Sequence, residues 1–414
     1  MSNQTVVHSR LESQPSADSW PVATIRKRNR QPSRPWWLAI ATLLSLSASA
    51  QDWYLQSQAS LDSFYDDNVR LTSIDAQSSM GAIVRAETKF GRRTEAEEIA
   101  INSGISSRRY TGVSELDRTD GFLGLNAAYQ LERSRFDLDM RIDYDSTLTS
   151  EVETSGFVQT NKRRTRISAA PSWTYSLSNR ASLAFGTRYT DVSYEDVGLI
   201  PLYNYQMTSS NLNGTYLWSE RMQLFSRLTF DHYEADEVGT SSDTIGLLAG
   251  GAYAISERLS LTAMLGPRFA TVETPTPFGS SENQDSTGML VDISIEQRFN
   301  VGKLGLSGSQ ALLPSSSGDL VSTTSAGLAL DYPFDSRWSL LLNANAYRNR
   351  NPGGEEDIND RDYVAVEPRL RHKLGDWWAL DLGYRARYQK YTEQQESALS
   401  NAVFLNLDYT PAAH

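Results

Sequence analysis

From residue 51 onward, apolar and polar residues alternate with a period of two over long stretches of the chain. Phe136, Leu138, Met140, Ile142 and Tyr144 share one parity, and Asp137, Asp139, Arg141, Asp143 and Asp145 share the other. Trp378, Leu380, Leu382, Tyr384 and Tyr388 oppose Asp381, Arg385, Arg387 and Gln389. Val364, Val366 and Leu370 oppose Glu367, Arg369 and Arg371, and Val403, Leu405, Leu407 and Tyr409 oppose Asn406 and Asp408. In a strand each set lines one face; wound into a helix, both sets would scatter around the cylinder.

Between alternating segments lie short polar turns of similar composition: Leu131-Glu132-Arg133-Ser134-Arg135, Leu177-Ser178-Asn179-Arg180, Trp218-Ser219-Glu220-Arg221, Ile255-Ser256-Glu257-Arg258, Phe334-Asp335-Ser336-Arg337 and Leu374-Gly375-Asp376-Trp377. Ser, Asn, Asp and Gly supply the backbone conformations tight turns need. Each turn joins two strands, and a longer connection leads to the next pair. The pattern predicts strands over 53–71, 78–91, 97–111, 118–132, 134–148, 163–177, 180–195, 204–218, 221–236, 242–256, 258–273, 285–299, 302–314, 320–334, 337–350, 361–374, 377–391 and 397–410. The expected count is therefore eighteen, with sixteen as the alternative. Long loops are expected near 149–162, 273–285 and 350–361.

A soluble β-sandwich would also alternate. These strands, however, run roughly 13 to 17 residues, against five or six in ordinary globular sheets. Aromatic residues recur near strand ends, at Tyr129, Tyr144, Trp338 and Tyr409, where interfacial girdles form in membrane barrels. The expected fold is all-β: a transmembrane antiparallel up-and-down β-barrel, closed because an open edge in hydrocarbon leaves backbone groups unsatisfied. Eighteen tilted strands enclose a ring on the order of 35 Å across, too wide for wall side chains to fill.

Composition agrees. Only 39% of the 414 residues are hydrophobic, yet 10% are aromatic, including 20 Tyr and 9 Trp, and mean hydropathy is -0.45. A barrel needs this balance, since alternate residues alone meet lipid. The N-terminus differs. Arg26, Lys27, Arg28, Arg30 and Arg34 precede the apolar run Trp36 to Leu46, and Ala48-Ser49-Ala50 follows as a small-x-small site. Residues 1–50 are thus expected to be an export signal cleaved after Ala50, leaving 51–414 as one barrel domain of the outer membrane. Its removal takes six Lys/Arg and two Asp/Glu, moving the net charge from -11 to -15. Nucleic acid is not an expected partner of so acidic a chain; outer-membrane lipid is.

The charged parity carries the candidate site. Asp137, Asp139, Asp143 and Asp145, with Arg141 among them, form an acidic stripe; Arg369, Arg371, Lys373, Arg385 and Arg387 form a basic one. Lining a lumen, they either set a transverse field that orients a charged or hydroxyl-rich solute or neutralise one another as a wet wall. The loop Asn351 to Asp362, with Glu355, Glu356, Asp357, Asp360 and Asp362, offers oxygens to calcium but lacks EF-hand spacing. No metal-ligand spacing or phosphate loop is present, so no cofactor is expected. Asp231 and His232 are sequence neighbours on opposite strand faces, and no enzyme is expected. There are no cysteines.

Phe64-Tyr65-Asp66-Asp67-Asn68-Val69 resembles the end of the first strand in the β-barrel porin 2 family, and the Ser/Asn/Glu-Arg turns resemble that family's hairpins. The likeness spans residues 51–410. Members are often encoded beside exopolysaccharide synthesis and export genes. The resemblance thus implies a channel for polysaccharide, working with periplasmic export components; a general porin, and a plugged scaffold whose loops bind matrix or partners, remain alternatives. The chain departs from the usual barrel ending, because Thr410-Pro411-Ala412-Ala413-His414 follows Tyr409.

Overall fold

The computed structural model describes residues 53–151, 161–275, 281–352, 360–392 and 397–412. The predicted export signal and its cleavage site lie outside them. Eighteen strands form: β1 (Trp53–Asp66), β2 (Ser79–Arg93), β3 (Glu97–Tyr110), β4 (Arg118–Gln130), β5 (Ser134–Ser146) and β6 (Arg163–Ser176). Then come β7 (Ala181–Glu195), β8 (Tyr205–Ser219), β9 (Met222–Ala235), β10 (Thr240–Ala254), β11 (Leu259–Pro275) and β12 (Ser281–Arg298). The last are β13 (Lys303–Pro314), β14 (Leu320–Pro333), β15 (Trp338–Arg350), β16 (Arg361–Lys373), β17 (Trp378–Tyr391) and β18 (Ser397–Tyr409). A one-turn helix, α1 (Thr147–Ser150), follows β5 and is capped by Ser146, whose Oγ accepts from the Leu148 N–H at 3.2 Å.

Every strand pairs antiparallel with the next, and β1 pairs with β18 from Ala59↔Tyr409 to Asp66↔Ala402. The sheet is therefore a closed eighteen-stranded barrel, and the sixteen-strand alternative is set aside. Side chains of alternate parity form two faces. The outward one exposes large apolar groups on successive strands, such as Val84 (54% exposed), Leu123, Ile142 and Leu265 (56%). A continuous apolar surface of this extent needs a nonaqueous surround. Near the short turns it ends in aromatic pairs: Trp53 stacks on Phe90 at 5.1 Å, Phe136 on Trp173 at 6.3 Å, and Trp378 packs on Tyr409 at 4.6 Å. Tyr409 thus sits in the outward girdle although five residues follow it.

Turn chemistry matches the sequence reading. Asp335 accepts from the backbone N–H groups of Arg337 at 2.7 Å and Trp338 at 2.8 Å, and these bonds hold its carboxyl below the ordinary range. Three outward prolines leave gaps in the pairing. The β6–β7, β10–β11 and β16–β17 ladders each skip a step beside Pro171, Pro267 or Pro368, because proline has no N–H to donate.

Some expected boundaries are corrected. β1 ends at Asp66 rather than 71, because the chain turns inward there and Leu71 takes a φ of 51°. The long loop near 273–285 is mostly strand, with β11 and β12 paired out to Pro275↔Ser281. The connections 236–239 and 315–319 are also short, so the end opposite the tight turns is not uniformly long-looped.

Candidate functional site

The inner face is polar, and its charges are paired locally. On β5, Asp137 lies 2.8 Å from Arg135, Arg141 lies 2.7 Å from Asp143, and Asp145 lies 2.8 Å from Arg164. Asp139 accepts from Asn126, which in turn accepts from Asn102. On β16 and β17 the four arginines of the expected basic stripe, Arg369, Arg371, Arg385 and Arg387, meet carboxylates. Arg371 contacts Asp381 at 2.7 Å and Asp408 at 2.6 Å, and Arg369 pairs with Glu367. Arg387 lies 2.8 Å from Asp66, while Arg385 stands 3.9 Å from both Asp66 and Glu367. The register places Arg371 opposite Asp381, Arg369 opposite Gly383 and Arg387 opposite Ala365, so the four guanidiniums climb the wall as a ladder rather than a patch.

The two stripes do not come together. Strands β18 and β1 to β4 separate β17 from β5 around the barrel. What joins them is a feature the sequence reading missed. Inward Phe404, Phe64 and Phe122 each lie over a glycine of the adjacent strand, at Gly383, Gly81 and Gly104, where a Cβ would collide with the ring. Each ring also carries a guanidinium: Arg369 at 5.4 Å, Arg108 at 6.0 Å and Arg141 at 3.8 Å from the centroid. With Arg141 and Arg369 partly exposed, cation–π contacts of this kind are each worth about 0.5–1 kcal/mol. Phenylalanine with the polar parity, facing a cross-strand glycine, was the signal available. Between β2 and β5 the wall recesses by about 310 Å³ around Arg85, Arg108, Arg118, Arg141 and Phe122.

At the end opposite the tight turns, loops fold into the barrel. Leu71, fully buried, packs with Tyr347, Tyr363, Ala365 and Ala398 from β15, β16 and β18. Asn68 fixes this loop: its Nδ2 donates to the carbonyls of Thr72 at 2.8 Å and Leu399 at 2.9 Å, and its Oδ1 accepts from the Thr72 N–H. Gln389 Nε2 donates to the Leu71 carbonyl at 3.1 Å. Beyond α1, Glu151 accepts from Arg164 and from the Tyr194 hydroxyl at 3.1 Å. Leu202 packs on Val192 and Tyr194, and the Tyr203 N–H donates to the Ser316 carbonyl at 2.9 Å. Segments from four connections therefore narrow one mouth.

Of the calcium loop, residues 353–359 lie outside the described residues. Asp360 accepts from the Asn351 N–H, and Asp362 is paired with Arg348 and Arg350. His232 stands outward beside Asp243 of β10, with Nδ1 at 2.8 Å from Oδ1, while Asp231 has the inward parity.

No family model matches the chain, and no curated protein matches it in sequence. Its backbone is similar to solved outer-membrane proteins at low identity. OccAB3 of Acinetobacter baumannii shares 12% identity over 87% of this chain and 99% of that one, with a TM-score of 0.45. OpdK of Pseudomonas aeruginosa shares 12% over 87% and 99%, with a TM-score of 0.44. The ferric-catecholate import receptor Fiu of E. coli K12 shares 9% over 88% and 82%, also with a TM-score of 0.44. Likeness of that degree carries no inference about solute or mechanism.

Proposed function

We propose that the protein is an outer-membrane channel for a hydrophilic solute, and that the solute is an exported polysaccharide. The observation that supports the channel is the closed wall with an apolar outer belt and a charged inner face. The lumen it encloses, on the order of 35 Å across at the backbone, needs water or inserted chain to fill it. Polysaccharide follows from the first-strand resemblance and suits a wall of Arg, Asp and Asn side chains interleaved with aromatic rings. Local pairing leaves the β5 and β16–β17 sectors nearly neutral, which favours hydroxyl recognition over strong ion selectivity there. Export would use residues 1–50 as a signal. Mass analysis of outer-membrane material should then give a mature N-terminus at Gln51, and an intact apolar segment 36–46 would sink the export route.

The inward loops favour a second reading, in which the barrel is plugged and acts as a surface scaffold. Planar-bilayer recording separates the two. The refolded protein should give discrete conductance steps, and Asn68→Ala with Leu71→Ser, which release the first loop, should raise the step size. Absence of current from both wild type and variant, with the barrel folded, would favour the scaffold. Replacing Arg369 and Arg385 by Gln frees Glu367 and should move ion selectivity toward cations.

A further inference from the structure

The inner wall is thin along β6 and β7. Ala170 and Ser172 on β6 and Ala184 and Gly186 on β7 carry the inward parity side by side, with Ser172 paired to Gly186. Over them, on the lumen side, the wall recesses by about 510 Å³, a volume within the range of small-ligand sites. Ala170, Ser172 and Ala184 are only half-buried, so the floor of the recess can be reached.

The two margins of the recess differ in chemistry. On the β5 side stand Asp137 and Asp139, paired in register with Ser172 and Ala170. Asp139 accepts from Asn126 on Oδ2, and among the described residues its Oδ1 accepts from nothing. On the other side Arg188 shares the rung of Ala170, since Ala169 pairs with Tyr189 and Ser172 with Gly186. Arg188 is exposed and meets no carboxylate among the described residues. Asn211 pairs with Gly186 and leans over it, both amide atoms 3.4 Å from where a Cβ would stand. Arg227 Nε donates to Asn213 Oδ1 at 2.7 Å, and Asn213 Nδ2 donates to Asn211 Oδ1. That chain leaves Asn211 Nδ2 as a donor. An acceptor margin and a donor margin thus face each other across small residues, with Asp139 and Arg188 two strand spacings apart, about 10 Å at the backbone.

A ligand in this gap must donate to one margin and accept from the other. A hydroxyl does both. A carboxylate or sulfate would face Asp137 and Asp139, and an ammonium would face Arg188. We propose that the recess is a subsite for a neutral hexopyranose unit, whose adjacent hydroxyls donate to Asp139 and Asp137 and accept from Arg188 and Asn211. Bonds of this kind, open to water along the lumen, hold a sugar loosely enough for it to move on. The assignment names the solute unit of the channel reading and rests on that reading for transport, though not for binding.

The test is saturation-transfer NMR of the refolded full barrel, alongside bilayer recording. The probes are maltohexaose, cellohexaose and mannohexaose, with oligogalacturonate and a polyethylene glycol of similar mass for comparison. At least one neutral hexaose should bind, at least about tenfold more tightly than oligogalacturonate or the glycol. Asp139→Ala with Arg188→Ala removes one group from each margin and should weaken that binding at least about tenfold. Ala170→Leu with Ala184→Leu fills the floor, leaves both margins in place and should do the same, so it decides the matter if the first variant does not fold. Asp292→Ala, on the inner face of β12, should leave binding unchanged. No binding of any neutral hexaose, equal binding of oligogalacturonate or the glycol, binding unchanged in the folded recess variants, or an equal loss in Asp292→Ala each overturns the subsite. Recess-dependent binding by a barrel that passes no current supports the subsite and removes the channel; current with binding indifferent to the recess does the reverse.

Discussion

Met140→Arg is expected to lower the stability of the inserted barrel by about 2–4 kcal/mol, the cost of a cation near the bilayer midplane. Met140 is the midpoint of β5 (Ser134–Ser146), is 42% exposed and faces outward with Ile142 and Tyr144. The neighbouring Asp139→Asn probes the opposite face: the side chain meets the lumen, and the amide oxygen can still accept from Asn126. It should change stability by no more than about 0.5 kcal/mol. Urea titration of barrel folded into lipid vesicles measures both. A Met140→Arg loss no larger than that of Asp139→Asn would mean that the outward face of β5 is not in lipid.

Asp66→Ala should be at least as damaging, at about 3–5 kcal/mol, because it strands buried cations. Asp66 is 2% exposed. One carboxylate oxygen accepts from Ser400 Oγ at 2.8 Å and the Asn68 N–H at 3.0 Å; the other accepts from Arg387 at 2.8 Å, with Arg385 nearby. One carboxylate therefore links β1, β17, β18 and the first inward loop. The loss should appear as an earlier heat-induced mobility shift on electrophoresis. Combining Asp66→Ala with Arg387→Met, which removes the stranded charge as well, should recover part of it. A single variant that melts like the wild type would show that this cluster is replaceable by solvent.

Much of the wall was legible in the sequence, because period-two alternation reports which face a side chain takes and says so locally. Asp137 to Asp145 and Arg369 to Arg387 needed no tertiary knowledge to be put on the polar face. Their partners did. Arg387 meets Asp66 across 321 positions, and only the closing register brings them together. Arg371 meets Asp381 because a tight turn sets β16 against β17 in one of several possible registers. Inward loops were illegible for another reason. Leu71 is one apolar residue in an irregular stretch with no periodicity, and its burial depends on a surface assembled from β15, β16 and β18.

Seventeen of the eighteen strand pairings join segments adjacent in sequence; the β1–β18 pairing spans Asp62 to Asn406, 344 positions. On β1 it is the shorter of the two ladders, with eight paired residues against fourteen for β1–β2. Chain statistics make this contact only about 4 kcal/mol harder to close than a hairpin, since loop entropy grows as the logarithm of length. Order of formation is affected more. The hairpins can accumulate independently of one another, whereas closure has to wait for a curved sheet whose two edges already face each other. Joining β18 to β1 by a linker and reopening the chain at another tight turn would preserve every pairing yet hand the last step to a different pair of strands. The seam therefore belongs to the connectivity, and the wall has no first strand.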